Sequence, residues 1–189
     1  MTTPSDGRCS YETFGVRFFE HAVTAERIAG ALAGVAGDDI EFGPMGVGPG
    51  KVAKVSATGR VLAPTATKVD DRPLTFRVRL PVDLRLAVEL GGQAHRFVAD
   101  LMVPLTVTAH AAEPLTIVVH IEPPSRHDIE LRLDADGIRA TFLQFVAGMD
   151  DEIRRYVARY VAREIAKPGV RRATTIDVSA HIDAAWAHS

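Results

Sequence analysis

The stretch Leu74–Leu90, LTFRVRLPVDLRLAVEL, is apolar at every even-numbered position: Leu74, Phe76, Val78, Leu80, Val82, Leu84, Leu86, Val88 and Leu90. Arg77, Arg79, Asp83, Arg85 and Glu89 occupy odd positions between them. A period of two held this long predicts one extended strand with a dry face and a wet face. At about 3.3 Å per residue it runs roughly 56 Å, against about 17–20 Å for a common strand. So long a dry face has to be covered.

Gly91-Gly92 follows directly, a two-residue hairpin signal. With that turn, Leu86 meets Phe97, Leu84 meets Ala99, Val82 meets Leu101, Leu80 meets Val103 and Val78 meets Leu105. Phe76 then meets Val107 and Leu74 meets Ala109, so all seven pairs are apolar on one face. A slip of one residue would turn the whole set into water. Pro81 and Pro104 fall near the middle of this hairpin, which predicts edge positions or bulges where the sheet bends.

Outward from the hairpin, Leu115, Ile117, Val119 and Ile121 keep the parity, as do Ile129, Leu131 and Leu133 after Pro123-Pro124. They predict a meander of long antiparallel strands with a continuous dry face. Upstream, Ala53, Val55, Ala57, Gly59, Val61 and Ala63 form a strand whose inner face lacks bulk, so a large group packs close to it or space remains there. The run GPMGVGPG, residues 43–50, reads as a loop. A Walker loop needs glycine where Met45 stands and Ser or Thr where Val52 stands, and a dinucleotide fingerprint opens a helix rather than a strand.

Near the start, residues 1–10 read as a loose tail and 11–189 as a single domain. A strand is expected over 12–22, then a helix capped by Thr24 and reaching Ala36. After Asp136-Gly137 the period becomes helical: Ile138, Phe142, Phe145, Met149, Ile153, Tyr156, Tyr160 and Ile165 share a face, and Pro168-Gly169 ends the run. About 29 residues at 1.5 Å predict a helix of roughly 43 Å. A short strand near Thr174 to Val178 and a last helical turn bearing Trp186 close the chain. The expected fold is α+β: a long, strongly curved antiparallel meander wrapped around a long C-terminal amphipathic helix, with a shorter N-terminal helix. One helix covers only about 10–12 Å of sheet width, so part of the dry face is left for sheet curl, a partner subunit or an apolar ligand.

Composition sets outer bounds. The chain is 47% apolar and 24% charged with a formal net charge of −2, an ordinary globular balance that disfavours a general polyanion binder. The lone Cys9 excludes an internal disulfide and agrees with a reducing compartment. A polar start and the lack of any long apolar run predict no signal peptide and no membrane span, hence a cytoplasmic protein.

Chemistry-bearing patterns are sparse. None of His21, His95, His110, His120, His127, His181 and His188 pairs with another at metal-binding spacing, so no metal and no cofactor is expected. His127 and Asp128 are sequence neighbours, and on a strand adjacent residues point to opposite faces, so no general-base dyad is expected. No nucleophile elbow is present, and Cys9 lies in a polar tail, so no enzyme is expected. Asp150, Asp151 and Glu152 precede Arg154 and Arg155 at spacings that predict helical ion pairs. Arg155, Arg159, Arg163, Arg171 and Arg172 belong to a basic series that suits either a solvated face or contact with an anionic membrane surface. Few aromatics interleave with it, which excludes a nucleic-acid reading.

The join HDIELRLDADGIRATFLQFVAGMDDEIRRYVARYV resembles the final strand and long helix of the tubular lipid-binding superfamily, which includes bactericidal permeability-increasing proteins and synaptotagmin-like mitochondrial lipid-binding domains. The resemblance covers about residues 12–166 and rests on element order and length. It implies a curved sheet around a helix with a lipid-holding tube. The chain lacks the disulfide pair and leader of the extracellular members, so their extracellular role is not carried over. The helix-grip fold of START-like proteins and polyketide cyclases is the second choice. Under either, the expectation is a carrier whose apolar cavity is lined by Val82, Leu84, Leu86, Phe97, Leu101, Val103, Phe142, Phe145, Met149, Ile153 and Tyr156. The alternatives are a homodimeric interaction module without ligand and a cyclase-like pocket protein.

Overall fold

The structure, a computed structural model, describes residues 7–33, 39–134 and 140–187, with the side chains of the last segment described from 148 onward. It is α+β, with a curled antiparallel half-barrel sheet and helices. The elements run α1 (Tyr11–Ala22), α2 (Ala25–Leu32), β1 (Asp39–Val47), β2 (Ala53–Val61), β3 (Thr65–Asp71), β4 (Leu74–Leu90) and β5 (Gln93–Ala112). They continue with β6 (Thr116–Glu122), β7 (Glu130–Leu133), α3 (Ala140–Ile165), α4 (Pro168–Ala173), β8 (Thr175–Asp177) and α5 (Val178–Ala187).

The β4–β5 hairpin is the spine, and its register is the expected one from Leu90↔Gln93 to Leu74↔Ala109. Along β4 the even positions are buried or half-buried, and the odd charged ones are exposed. Each long strand carries two short partners on its outer edge. On β4, β2 pairs with residues 82–90 and β3 with residues 74–79. On β5, β7 pairs with residues 99–102 and β6 with residues 106–112.

The two prolines sit at these handovers. In a two-residue hairpin the even residues of β4 bond to β5, so Pro81 lacks its N–H on the opposite edge, between the segments held by β2 and β3. The Pro81 carbonyl accepts from Leu62 N at 2.9 Å just past the end of β2. Pro104 falls likewise between the segments held by β7 and β6. Neither proline therefore removes a ladder bond.

Several expectations are corrected. Residues 12–22 are helical: Ser10 caps α1 by accepting from Thr13 N, which outweighs the strand-like composition of this stretch. Thr24 caps α2 as expected, but the described helix ends at Leu32, and the expected end at Ala36 lies outside the described residues. The run at 43–50 is not simply a loop. Gly43 to Val47 belong to β1, and the ladder shifts between Phe42 and Met45, where Gly43 has φ +96. A Cβ there would lie 2.4 Å from the Val55 carbonyl oxygen, so the residue type is dictated. The strands do not form a simple meander, because β7 returns to β5 and not to β6. Leu115 leaves the dry face: it has φ 144 and is exposed, and its carbonyl accepts from Val178 N. Pro168 opens α4 as its first residue rather than simply stopping α3.

Helix α3 runs over the 26 residues Ala140–Ile165, against the roughly 29 expected, and its side chains are described from residue 148. Its stripe is buried against the dry face at Met149, Ile153 and Val157, and the Tyr156 ring stacks on Phe42 at 5.0 Å. Arg154 pairs bidentately with Asp150 at 2.7 and 2.8 Å, and Arg155 pairs with Asp151 and Glu152, the predicted helical ion pairs. Arg126 reaches Asp151 at 3.2 Å and ties the turn before β7 to the helix.

Candidate functional site

The dry face is longer than α3 can cover. Its middle, around Val82, Leu101, Leu80 and Val103, lies under Tyr156, Val157, Tyr160 and Val161, and a cavity of only about 60 Å³ remains there. At the end of the hairpin away from Gly91-Gly92, the sheet meets a different cover. Val107 of β5 and Ile117, Val119 and Ile121 of β6 form the floor of a cleft of about 570 Å³. One wall is Phe18, Ala22, Val23, Ile28, Ala31 and Leu32 from α1, α2 and the link between them. The facing wall is Val170, Ala173, Ile176 and Val178 from α4, β8 and the start of α5.

Local sequence explains why these walls are placed but not closed. Thr24 Oγ1 accepts from Arg27 N at 3.3 Å and starts α2, whose one buried residue is Ile28. Helix α1 has no buried residue and meets the core through Phe19 and Ala22, while Tyr11, Phe14 and Phe18 are exposed and the rings of Phe14 and Phe18 stack at 6.3 Å. Across the cleft, β8 pairs with β6, and the Val119 amide donates to the Thr174 carbonyl at 2.8 Å, which fixes the α4–α5 wall to the sheet edge. Alanines at 22, 31 and 173 keep both walls low. Among the described residues the lining holds four polar side chains, those of His21, Arg27, Thr174 and His181, and no carboxylate.

The residues singled out from the sequence divide among several places. Val82, Leu101, Val103 and Tyr156 surround the small residual cavity under α3. Leu84, Leu86, Met149 and Ile153 are fully buried in packed core. Phe97 is half-buried near the hairpin tip, and the side chains of Phe142 and Phe145 lie outside the described residues. Arg155 is engaged in ion pairs, whereas Arg159 and Arg163 on α3 and Arg171 and Arg172 on α4 are exposed. His127 and Asp128 do not act on one another as a pair aimed at a pocket. Asp128 accepts from the Ser125 hydroxyl at 2.7 Å and from the Ser125 amide at 2.9 Å, and His127 Nε2 accepts from Arg126 Nε. Those Ser125 bonds, the hydroxyl first, hold the Asp128 carboxyl below the ordinary aspartate range. Among the described residues, no three His, Cys, Asp or Glu side chains group as a metal site, and no helix is long and apolar enough to cross a membrane.

The cleft itself escaped sequence reasoning. Its floor was legible as the dry face of two strands, but its walls come from segments more than a hundred residues apart, and one of them read as a strand. No protein-family model matches the chain, and no curated protein matches it in sequence.

Proposed function

We propose that this protein binds and carries a lipid or another long apolar molecule, held in the cleft between α1–α2 and the α4–α5 wall. The observation that carries this reading is the cleft itself: about 570 Å³, lined by 14 apolar residues out of 18, within the roughly 300–1,000 Å³ usual for ligand sites. The cavity beneath Tyr156, Val157, Tyr160 and Val161, about 60 Å³, suits packing rather than cargo. Sequestration is the mechanism: ligand chains bury against the β5–β6 floor, each methylene contributing about 0.8 kcal/mol. Helix α1, with no buried residue, is the wall that moves for loading and release.

In this reading the curled sheet and α3 stand in the relation of sheet to helix in the tubular lipid-binding superfamily, and the carrier works in the cytoplasm. Exposed Arg171 and Arg172, on the helix that forms one wall, suit transient contact with an anionic membrane during transfer. A second reading rests on α1, where Tyr11, Phe14 and Phe18 are 97%, 60% and 42% exposed: a homodimer closing over these rings without ligand.

Native mass spectrometry of gently purified protein, followed by organic extraction, separates the two. A monomer carrying stoichiometric lipid-sized mass supports the carrier. A bare dimer that takes up no added lipid supports the interaction module.

A further inference from the structure

We propose that the cleft selects amphiphiles with an anionic head, a carboxylate in the simplest case, and seats that head at the rim on Arg27, His21 and His181. This rests on reading the cleft as an apolar-ligand site and adds the chemistry of the head. The floor and the rim differ in kind. Val23, Ile28, Val107 and Ile117 are buried, whereas His21, Arg27 and His181 are exposed residues that still line the cleft. Among the described residues, the exposed polar side chains of the lining are these three, so a head group that stays in contact with water has them as its partners.

Those groups are all hydrogen-bond donors. Arg27 is cationic, His21 and His181 donate through ring N–H, and among the described residues no Asp or Glu lines the cleft. The guanidinium is held in place because Nη1 donates to the Ala22 carbonyl at 2.9 Å, a bond that uses one of its five N–H groups. Thr174 donates its hydroxyl hydrogen to the Arg171 carbonyl and adds no free donor. The acid beside His181 is Asp177, and it is occupied by its own turn, accepting from Ser179 Oγ at 2.6 Å and Ala180 N at 3.0 Å. Among the described residues, none of His21, Arg27 and His181 takes part in an ion pair. A carboxylate at the rim gains charge-assisted hydrogen bonds without leaving water entirely, an alcohol gains ordinary ones, and an ammonium meets like charge.

The test is displacement of Nile red, a neutral apolar dye, by three molecules of one chain length at neutral pH: laurate, dodecanol and dodecylamine. Laurate is expected to displace the dye about tenfold more tightly than dodecanol, with dodecylamine weakest. Arg27→Gln should bring laurate to the dodecanol level and leave dodecanol unchanged. Because Arg27 also touches Ala22, His21→Gln combined with His181→Gln is the second variant, expected to narrow the same gap. Equal displacement by all three molecules, or a laurate preference that survives both variants, overturns the anionic head and leaves the apolar cleft standing. If neither dye nor any chain binds, the cleft reading fails and this proposal falls with it.

Discussion

Gly59 and Leu84 face each other across the β2–β4 ladder, and a Cβ built on Gly59 would lie 2.5 Å from Leu84 Cδ2 and 2.9 Å from the Asp83 carbonyl oxygen. The bare position on the small-residue strand is thus filled by its neighbour's side chain. Gly59→Ala is expected to lower stability by about 1–3 kcal/mol through overpacking, and Leu84→Ala by about 2–5 kcal/mol through the cavity it leaves. Urea unfolding of the double variant should show a loss smaller than the two single losses added together. Strict additivity would mean that the two side chains do not compete for this space.

Met149 on α3 is fully buried against the sheet and lines neither the cleft nor the small cavity beneath Tyr156. Met149→Trp should destabilise the fold by about 1–3 kcal/mol and leave dye uptake per folded molecule unchanged. Lost uptake at unchanged stability would place the ligand under α3 after all.

Thr24 starts the helix that forms one wall of the cleft. Thr24→Ala is expected to cost about 0.5–2 kcal/mol, and Thr24→Ser to recover most of it. Thermal unfolding of the three proteins checks this, and equal midpoints would show that the cap contributes nothing.

The Asp128 carboxyl is held below its ordinary value by the Ser125 hydroxyl and then by the Ser125 amide. A folded-state pKa below the unfolded one means that the ionised group supports the fold above the ordinary aspartate value, about 3.9, and that this support fades as the pH falls through the lower folded value. Wild type should therefore melt above Asp128→Asn near neutral pH, and the difference should vanish in acid. A difference that grows on acidification would reverse the sign and refute the assignment.

How much of this was legible follows from which contacts are local. The hairpin register was, because a period of two across Leu74–Leu90 and a Gly-Gly turn leave one pairing that keeps all the apolar residues together. So was the stripe Met149, Ile153 and Tyr156, which obeys the helical period by itself. Helix α1 was obscured by Phe14, Val16, Phe18 and Phe19, residues that favour strands, although Ser10 three places before Thr13 was a readable cap. Strand β1 was hidden because Gly43 and Pro44 read as loop, whereas the ladder uses them to shift register. The return of β7 to β5 is a choice between two free sheet edges that no local pattern encodes. Of these, α1 walls the cleft, which is why the floor was foreseen and the site was not.

The central claim is that cargo lies between α1–α2 and the α4–α5 wall, and the most direct measurement is Nile red uptake by wild type and Ala173→Phe, with thermal midpoints recorded on the same samples. Ala173 lines the cleft and is exposed, so a phenyl ring there should fill space without disturbing the core. The account predicts saturable uptake by wild type, a loss of about tenfold or more in affinity in the variant, and matching midpoints. Equal uptake by both proteins at equal stability would contradict it.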